Sequence, residues 1–346
     1  MMIIRPIERN DLARFMALAE VAGVGMTSLP ADEEWLAERI DRSVKSFAGE
    51  LPQIEQGFIF VLEDTEHDRI AGTCAMEAAV GLKTPWYNYR IGTVVHASEE
   101  LGVYKRHDAL FLSNDHTGFT ELCSLFMHPD YRAHRVGSLL SKSRLLFLAQ
   151  FPDLFSDIVV AELRGVSDEA GQSPFWEGLG RHFFSMDFSR ADTMTGLGEK
   201  TFVAELMPKH PIYIELLPEA AQAVIREPHP DTKPALKMLN AEGFRCEGYV
   251  DIFDGGPTVQ AYAREIRAVR ESRLSPVRVV PAASGEGERL LVCNTAFADF
   301  RVIVAYRAPG EQDVALSAEQ AAALGVAEGD KVRCVPLSPT RRPGAE

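Results

Sequence analysis

The sequence has 346 residues, of which 46% are hydrophobic, 25% charged and 9% aromatic, a balance typical of a folded globular protein. Lysine and arginine number 36 against 50 aspartate and glutamate residues, giving a formal net charge of −14 that argues against a nucleic-acid binder. No apolar run approaches the roughly 20 residues of a membrane helix, and no signal-peptide pattern opens the chain. We therefore expect a cytoplasmic protein with no membrane partner.

The pattern of apolar residues and turn signals predicts alternating strands and helices over the first 250 residues. In chain order, the predicted elements are a strand at 2–5, a helix capped at Asn10 or Asp11, a helix from Ala31, a hairpin of 57–63 with 69–76, a strand at 121–127, a helix at 136–149, a strand at 157–163, a helical turn at 173–179 stopped by Gly180, and a helix at 234–241 closed by Gly243.

This order predicts an α+β fold, a mixed sheet with helices on both faces. From about residue 275 short strands alternate with Gly-rich turns, which predicts an appended small C-terminal β-barrel. We accordingly divide the chain into a first domain at 1–200, a continuation with a Pro-rich loop and helix at 201–272, and the small barrel at 273–340.

The segment 121–149 has the pattern of an anion-binding turn. An apolar strand runs into a basic turn and then into an amphipathic helix. The basic residues are His128, Arg132, His134 and Arg135, and the helix opens near Gly137 and Ser138. Unpaired N–H groups at a helix start are a natural seat for a pyrophosphate, and arginines add charge-assisted donors. On pattern alone, a turn with solvated arginines is an equal alternative. The GxxxxGK[ST] and GxGxxG patterns are absent.

This turn resembles the coenzyme A turn of the GCN5-related N-acyltransferases, where a strand ending in V-x-P is followed by Y-R-x-x-G-x-G and a helix. Within HPDYRAHRVGSLL, Arg132, Gly137 and Ser138 match, while Arg135 stands where the first glycine is usual. The resemblance implies a GCN5-related N-acyltransferase-like fold. It also implies that these four residues contact the cofactor's diphosphate, since a basic Arg135 can serve the same anion.

Nearly the whole sequence is similar to the arginine N-succinyltransferase family, in its alpha-subunit-like form, through GRHFFSMDFSRADTMTG, ELMPKHPIYIELLPEAAQAVI and EPHPDTKPALKMLNAEGF. This resemblance implies succinyl transfer from succinyl-CoA, as co-substrate, to the α-amino group of L-arginine, giving N2-succinylarginine and CoA in arginine catabolism. It implies no permanently bound cofactor and no metal. It also implies an oligomer, in which a paralogous chain can be the second subunit.

The same resemblance assigns succinyl-CoA binding to Leu125 and proton donation to His229. Leucine has no side-chain donor, so Leu125 would act through its backbone. Histidine suits proton transfer near neutral pH, and Pro228 and Pro230 restrict the loop around His229. Without the resemblance, a histidine in a Pro-rich connection is typical of a surface residue.

Other polar residues have plainer interpretations. Cys123, two residues before Leu125 and expected on the same strand face, is predicted to be a packed thiol and not a nucleophile. The five cysteines lack a CxxC pair and lie in apolar strings, which predicts buried reduced thiols. Asp192 and Glu121 could face a guanidinium, although solvated or capping roles are commoner.

Two other functions are consistent with the sequence. The chain could be an acyl-CoA N-acyltransferase for ornithine or another amine, such as a polyamine. It could also be a mainly ligand-binding subunit of a hetero-oligomer, although the presence of Arg132, Gly137 and His229 argues against a catalytically silent chain.

Overall fold

The computed structural model describes residues 1–22, 29–134, 136–168, 171–196, 205–283 and 285–338, with the backbone alone for 133, 134, 192, 193, 195 and 196. The strands are β1 Met2–Pro6, β2 Gly57–Asp64, β3 Arg69–Glu77, β4 Asn88–Ser98, β5 Val103–Ser113, β6 Thr120–Met127, β7 Ile158–Glu162, β8 Ile212–Tyr213, β9 Arg245–Asp251, β10 Pro257–Tyr262, β11 Arg273–Val280, β12 Glu288–Cys293, β13 Val302–Arg307, β14 Val314–Ser317 and β15 Lys331–Pro336. The α-helices are α1 Leu12–Ala22, α2 Glu33–Phe47, α3 Gly137–Gln150, α4 Pro174–Gly178, α5 Gly180–Phe184, α6 Phe188–Gly196, α7 Glu219–Gln222, α8 Lys233–Glu242, α9 Arg267–Glu271 and α10 Ala318–Leu324.

All the strands join one mixed sheet in the order β14-β11-β15-β12-β13-β1-β2-β3-β6-β7-β10-β9-β4-β5-β8. Within the described residues, neighbouring strands are antiparallel except for β6 with β7 and β11 with β14. Alternation along β2 explains the two covered faces: Phe58 and Phe60 join the core with α3, while Ile59 and Val61 pack with α1 and α2. The predicted mixed sheet with helices on both faces is confirmed.

Helix boundaries follow local sequence signals in most places. Asp32 caps α2 by accepting the Trp35 N–H at 2.8 Å, and the predicted closure of α8 by Gly243 is confirmed by its left-handed φ of 105°. The helical turn predicted at 173–179 ends at Gly178 as α4, before Gly180, but Gly180 itself begins the next helix, α5. A Cβ at Gly180 would collide with the Trp176 ring, so packing against the ring requires glycine at this position.

The predicted closure of the C-terminal strands into a β-barrel is not found among the described residues, although these strands have a hydrophobic cluster of their own. β13 pairs with β1 at Ile4 and Val302, so the C-terminal strands extend the main sheet. Among the described residues, β14 pairs with β11 and no pairing closes it onto β13. Leu291 and Cys293 belong to the same core cluster as α3. Short strands with Gly-rich turns are found both in barrels and in extensions of a larger sheet. Here the sheet extends, because β13 pairs with the unpaired edge of β1.

A buried ion network ties α3 to α8, α9 and the C-terminal strands. Glu242 accepts from Lys142 Nζ and from Arg267 Nη2, both at 2.8 Å, and all three side chains are almost fully buried. Lys142 also donates to the Leu337 carbonyl at 2.7 Å. The network therefore fixes the last strand against the helix that follows the basic turn.

The cysteines are all free thiols, as predicted, but they are not all buried. Cys74, Cys293 and Cys334 are buried, Cys123 is half-buried and Cys246 is exposed. The prediction of burial is wrong for Cys246, because the start of β9 is exposed even though its sequence context suggested a core strand.

Candidate active site

The strand before the basic turn, β6, contains a β-bulge at Ser124. Ser124 has a φ of 50°, and the register shift with β3 places both Ser124 and Leu125 opposite Cys74. Leu125 then packs against the core on the α3 face, whereas Cys123 packs with α1 and α2. The expectation that Cys123 and Leu125 share a face is therefore wrong, because the bulge interrupts the alternation between them.

The thiol of Cys123 is not an activated nucleophile. Burial raises its pKa, and the carboxylates of Glu121 and Glu77 raise it further, outweighing the nearby arginines. The thiol therefore stays protonated near neutral pH, which supports the interpretation of Cys123 as a packed residue.

β6 and β7 separate soon after they pair. Thr120 pairs with Val159 and Glu121 with Val160, yet β6 continues to Met127 and β7 to Glu162. After Glu121, no described residue of β6 pairs with a residue of β7. The β6 edge that carries Leu125 therefore offers backbone groups to an extended ligand, as a sheet edge does to a peptide strand.

The basic turn leads from β6 into the N-terminus of α3. Val136, the N-cap, makes no side-chain capping bond, and a Cβ on Gly137 would meet no atom within 4 Å. Arg132 is exposed and its Nε donates to the Met127 carbonyl at 3.2 Å, while Ser138 lies half-buried in the first helical turn. Open space, helix N–H groups and a cation suit an anion here. Arg135 lies outside the described residues.

Arg144, on α3, anchors the bulged strand from below. Its Nη1 donates to the backbone carbonyls of Cys123 at 3.1 Å and Ala75 at 3.3 Å, and Nη2 donates to Ser141 Oγ at 2.9 Å. This buried guanidinium uses its several donors on groups from two strands and its own helix. Arg144 was not predicted from the sequence as part of the site.

His229 precedes a short 3-10 turn, Pro230–Thr232, and its side chain is only 17% exposed. Its ring Nδ1 accepts the Asp231 N–H at 3.2 Å. Burial lowers the pKa of His229, and the positive charge of Arg164 lowers it further, while Asp231 and the Ser167 backbone act in the opposite direction. The imidazole is therefore largely neutral near pH 7 and able to accept a proton.

The backbone joins the His229 loop to the end of β7. His229 N–H donates to the Arg164 carbonyl at 2.8 Å, and Pro228 forms an isolated β-bridge with Gly165. His229 is thus fixed to the strand that borders the opening beside Leu125. The other described candidates, Arg132, Gly137 and Ser138, lie on the continuous β6–turn–α3 segment.

A cleft of about 750 Å³ opens on the α2 face of the sheet. Its walls come from α2, the loop after β3, β6, the end of β7 and the turn after β9. The carboxylates that line it are Glu77, Glu121, Glu162 and Asp251, together with Glu38, Asp41 and Glu55 nearer α2. Cys123 and Ser124 also line this cleft, so it reaches the bulge. Its volume suits a small-molecule ligand.

Individual carboxylates in the cleft have different environments. Glu77 forms ion pairs with Arg42 and, at 3.6 Å, with Arg39. Glu162 accepts from Asn88 Nδ2 at 2.6 Å. Burial raises the pKa of Asp251, despite the hydrogen bonds that its carboxylate accepts from backbone N–H groups. Of the two acids considered from sequence, Glu121 lines the cleft and the Asp192 side chain lies outside the described part of the chain.

The described residues contain no group of three or more His, Cys, Asp or Glu side chains arranged to hold a metal ion. Among the same residues, no helix combines the length and the apolar character needed to cross a membrane.

A family model described as "Arginine N-succinyltransferase beta subunit" matches residues 2–268, and a model of its C-terminal domain matches residues 273–336. The chain belongs to the arginine N-succinyltransferase family. The family resemblance noted from the sequence is confirmed over nearly the whole chain, although the family model is described as the beta subunit and the resemblance was to the alpha-subunit-like form. The structure also has the mixed sheet, and the strand, turn and helix before a separating strand, that the resemblance implied.

Relatives named arginine N-succinyltransferase align over almost their full length. The proteins of Escherichia coli strain 55989 and of Shigella flexneri are each 55% identical over 337 residues, covering 97% of this chain and 98% of theirs. A solved structure is also similar, that of "arginine/ornithine succinyltransferase subunit AI from Pseudomonas aeruginosa". It is 40% identical with a TM-score of 0.89, covering 98% of this chain and 99% of that one.

Proposed function

We propose that this chain transfers the succinyl group of succinyl-CoA to the α-amino group of L-arginine, giving N2-succinylarginine and CoA, a step of arginine catabolism. The observation that supports this most strongly is the bulged, separating strand that leads through a basic turn into the start of α3, within a member of this family. Relatives 55% identical over 97% of the chain carry the same activity in their names.

The turn is the proposed seat of the CoA diphosphate. The α3 N–H groups at Gly137 and Ser138 would donate to the phosphate oxygens, and Arg132 and Arg135 would supply positive charge. The space beside Gly137 is open, because a Cβ there would meet no atom within 4 Å. The acyl-pantetheine arm would then extend along β6, with the thioester beside the backbone of Leu125 in the opening toward β7.

The cleft on the α2 face is the proposed acceptor site. It reaches the bulge at Ser124, so an amine at this end of the cleft would lie close to a thioester placed beside Leu125. A guanidinium is recognised by carboxylates in fork geometry, and the carboxylates of Glu121 and Glu162 stand at this end of the cleft.

The reaction needs one proton transfer. The α-amino nitrogen bonds to the thioester carbonyl carbon, the C–S bond breaks, and the proton lost by nitrogen passes through His229 to the departing sulfur. The lowered pKa of His229 keeps the resting ring neutral and makes the imidazolium a stronger acid toward the thiolate. Backbone N–H groups near Leu125 would stabilise the oxyanion, an effect of about 3 to 4 kcal/mol per donor.

Ornithine is a second candidate acceptor. The similar structure from Pseudomonas aeruginosa is described as an arginine/ornithine succinyltransferase subunit. Ornithine has the same α-amino acid group with a shorter cationic side chain, so it would test how far the cleft discriminates. We also propose that the chain works as an oligomer, which native mass measurement of the active preparation would identify.

The decisive experiment supplies the purified chain with succinyl-CoA and arginine and measures free thiol together with product mass. We expect arginine-dependent thiol release and a product heavier than arginine by one succinyl group. Omission of arginine and the His229→Ala variant are the controls. No arginine-dependent release, under conditions where an established arginine N-succinyltransferase is active, would contradict the proposal. Ornithine and a polyamine in parallel reactions would show acceptor preference.

A further inference from the structure

Arg164 lies two residues after the end of β7, the strand that ends at the acceptor cleft. Leu163 belongs to the core on the α3 face, whereas Glu162 lines the acceptor cleft. The chain is still extended here, because Leu163 N–H donates to the Pro257 carbonyl at 3.1 Å. Side chains alternate along an extended chain, so Arg164 points to the same side as Glu162.

The guanidinium of Arg164 has fewer partners than other partly buried arginines. Nη2 donates to Ser167 Oγ at 2.7 Å, but the buried Nε has no acceptor among the described residues. Nor does any described carboxylate form an ion pair with it, whereas Arg5 and Arg267 each pair with one. A buried N–H without an acceptor costs free energy, which a bound anion would recover.

The backbone holds Arg164 beside His229. The Arg164 carbonyl accepts from His229 N–H at 2.8 Å and from Thr232 Oγ1 at 3.2 Å. The next residue, Gly165, donates to Asp254 Oδ2 at 2.7 Å, and a Cβ there would lie 2.6 Å from the Asp254 carbonyl. These contacts fix the base of the arginine side chain relative to the proposed proton-transfer group.

We propose that Arg164, held by Ser167, binds a carboxylate of the substrates next to His229. This inference rests on the proposed function, in which both substrates carry a carboxylate. One is the distal carboxylate of the succinyl group and the other is the α-carboxylate of the amino acid. A guanidinium with a buried, unpaired N–H and a single hydroxyl partner matches either group through charge-assisted hydrogen bonds. Arg164 would thus favour substrates that carry this carboxylate over analogues that lack it.

The test compares each ligand with a counterpart lacking the carboxylate. Dissociation constants for succinyl-CoA and butyryl-CoA, and for arginine and agmatine with CoA present, are measured by calorimetry for the unaltered chain and for Arg164→Met. We expect one carboxylate ligand to bind about 10- to 100-fold more weakly to Arg164→Met. Its counterpart should change by less than about twofold. The affected pair identifies the carboxylate.

Two further variants control for charge and folding. Arg106→Met removes an exposed arginine from the β4–β5 hairpin and should leave all four constants unchanged. Arg164→Lys keeps the charge without the planar fork and should give an intermediate loss. It also serves as the test variant if Arg164→Met unfolds at a lower temperature.

Equal weakening of a ligand and its counterpart, or no change in either pair, would overturn the assignment of Arg164. Failure of the proposed function looks different, because the unaltered chain would then release no thiol from succinyl-CoA with arginine. The binding comparison reads carboxylate recognition directly and does not depend on turnover.

Discussion

Arg144 Nη1 donates to the backbone carbonyl of Cys123 at 3.1 Å, one residue before the left-handed Ser124. The same guanidinium also reaches Ala75 on β3, so one side chain from α3 bridges both strands at the bulge. A non-glycine residue at positive φ is strained and needs support from its surroundings. Arg144 supplies that support where we place the thioester.

We predict that Arg144→Met destabilises the fold and weakens succinyl-CoA binding together. Buried carbonyls left without donors cost about 1 to 3 kcal/mol, and the bulge loses its anchor. Urea unfolding and the KM for succinyl-CoA measure the two effects. Arg144→Lys, which retains the charge with fewer donors, should fall between Arg144→Met and the unaltered chain. An unchanged KM in a destabilised Arg144→Met protein would contradict the prediction, because it would mean that the anchored bulge does not contribute to succinyl-CoA binding.

Gly137→Glu should raise the KM for succinyl-CoA at least about tenfold while leaving the fold as stable as before. A carboxylate in the first turn of a helix is favourable for the helix, typically by about 0.3 to 1 kcal/mol, but it would repel a bound diphosphate. Thermal unfolding and initial rates give the two readings. Gly137→Ala is the matched control, because its Cβ enters open space, and it should bind nearly normally.

His229→Ala should lower kcat by about 10²- to 10⁴-fold with little change in the KM for succinyl-CoA. The side chain is proposed to transfer the proton from the amine nitrogen to the sulfur and not to bind the cofactor's diphosphate. Steady-state thiol release measures both constants. Turnover close to that of the unaltered chain would remove the proposed role from His229.

The titration of His229 should fall below its ordinary pKa of 6.5. The neutral ring, which accepts the amine proton, then persists to lower pH than in an average histidine, and it is lost as pH falls through the pKa. Arg164→Met should raise this pKa, because it removes a positive charge. Asp231→Asn should lower it. Side-chain ¹⁵N NMR of labelled histidine, assigned with His229→Gln, measures the His229 pKa in the unaltered chain and in both variants. A pKa shift of the same sign in the two variants would contradict the opposite effects expected of Arg164 and Asp231.

Glu242→Gln should cost about 3 to 5 kcal/mol of unfolding free energy at pH 7, because it leaves Lys142 and Arg267 buried without their anion. The pKa of Glu242 is lowered in the fold, so its contribution is complete above its ordinary value of 4.5 and declines as pH falls through the folded pKa. Urea unfolding from pH 7 down to pH 3 should show the difference from the unaltered chain narrowing. Glu177→Gln, in an exposed pair with Arg181, should cost less than about 1 kcal/mol.

Local patterns were sufficient to predict much of the framework. The β2–β3 hairpin, α2 and α8 have period-2 or period-3.6 apolar residues with recognisable turn or cap residues, so their existence could be predicted from the sequence. The long β4–β5 hairpin was missed. Its outer half is exposed on both faces, with no regular apolar alternation to reveal it.

The site was predictable only where it is continuous in sequence. The turn from Arg132 to Ser138 is one segment and was recognisable, whereas the bulge at Ser124 has no glycine or proline to mark it. Arg164 meets His229 across 65 positions, through an isolated β-bridge and a backbone hydrogen bond that no local pattern predicts. The cleft likewise takes carboxylates from six separate segments. An acid at the end of two apolar strands, Glu77 and Glu162, was the signal available.

The last strands share a hydrophobic interior with α3, since Leu291, Cys293 and Val302 meet the same cluster as Leu145 and Phe147. Deleting the residues after 272 would expose that apolar surface and remove the Leu337 carbonyl, to which Lys142 donates. A minimal catalytic fragment is therefore not obtainable by deleting the tail. Chimeras between relatives would have to exchange α3 and the C-terminal strands together, so that their packing surfaces still match.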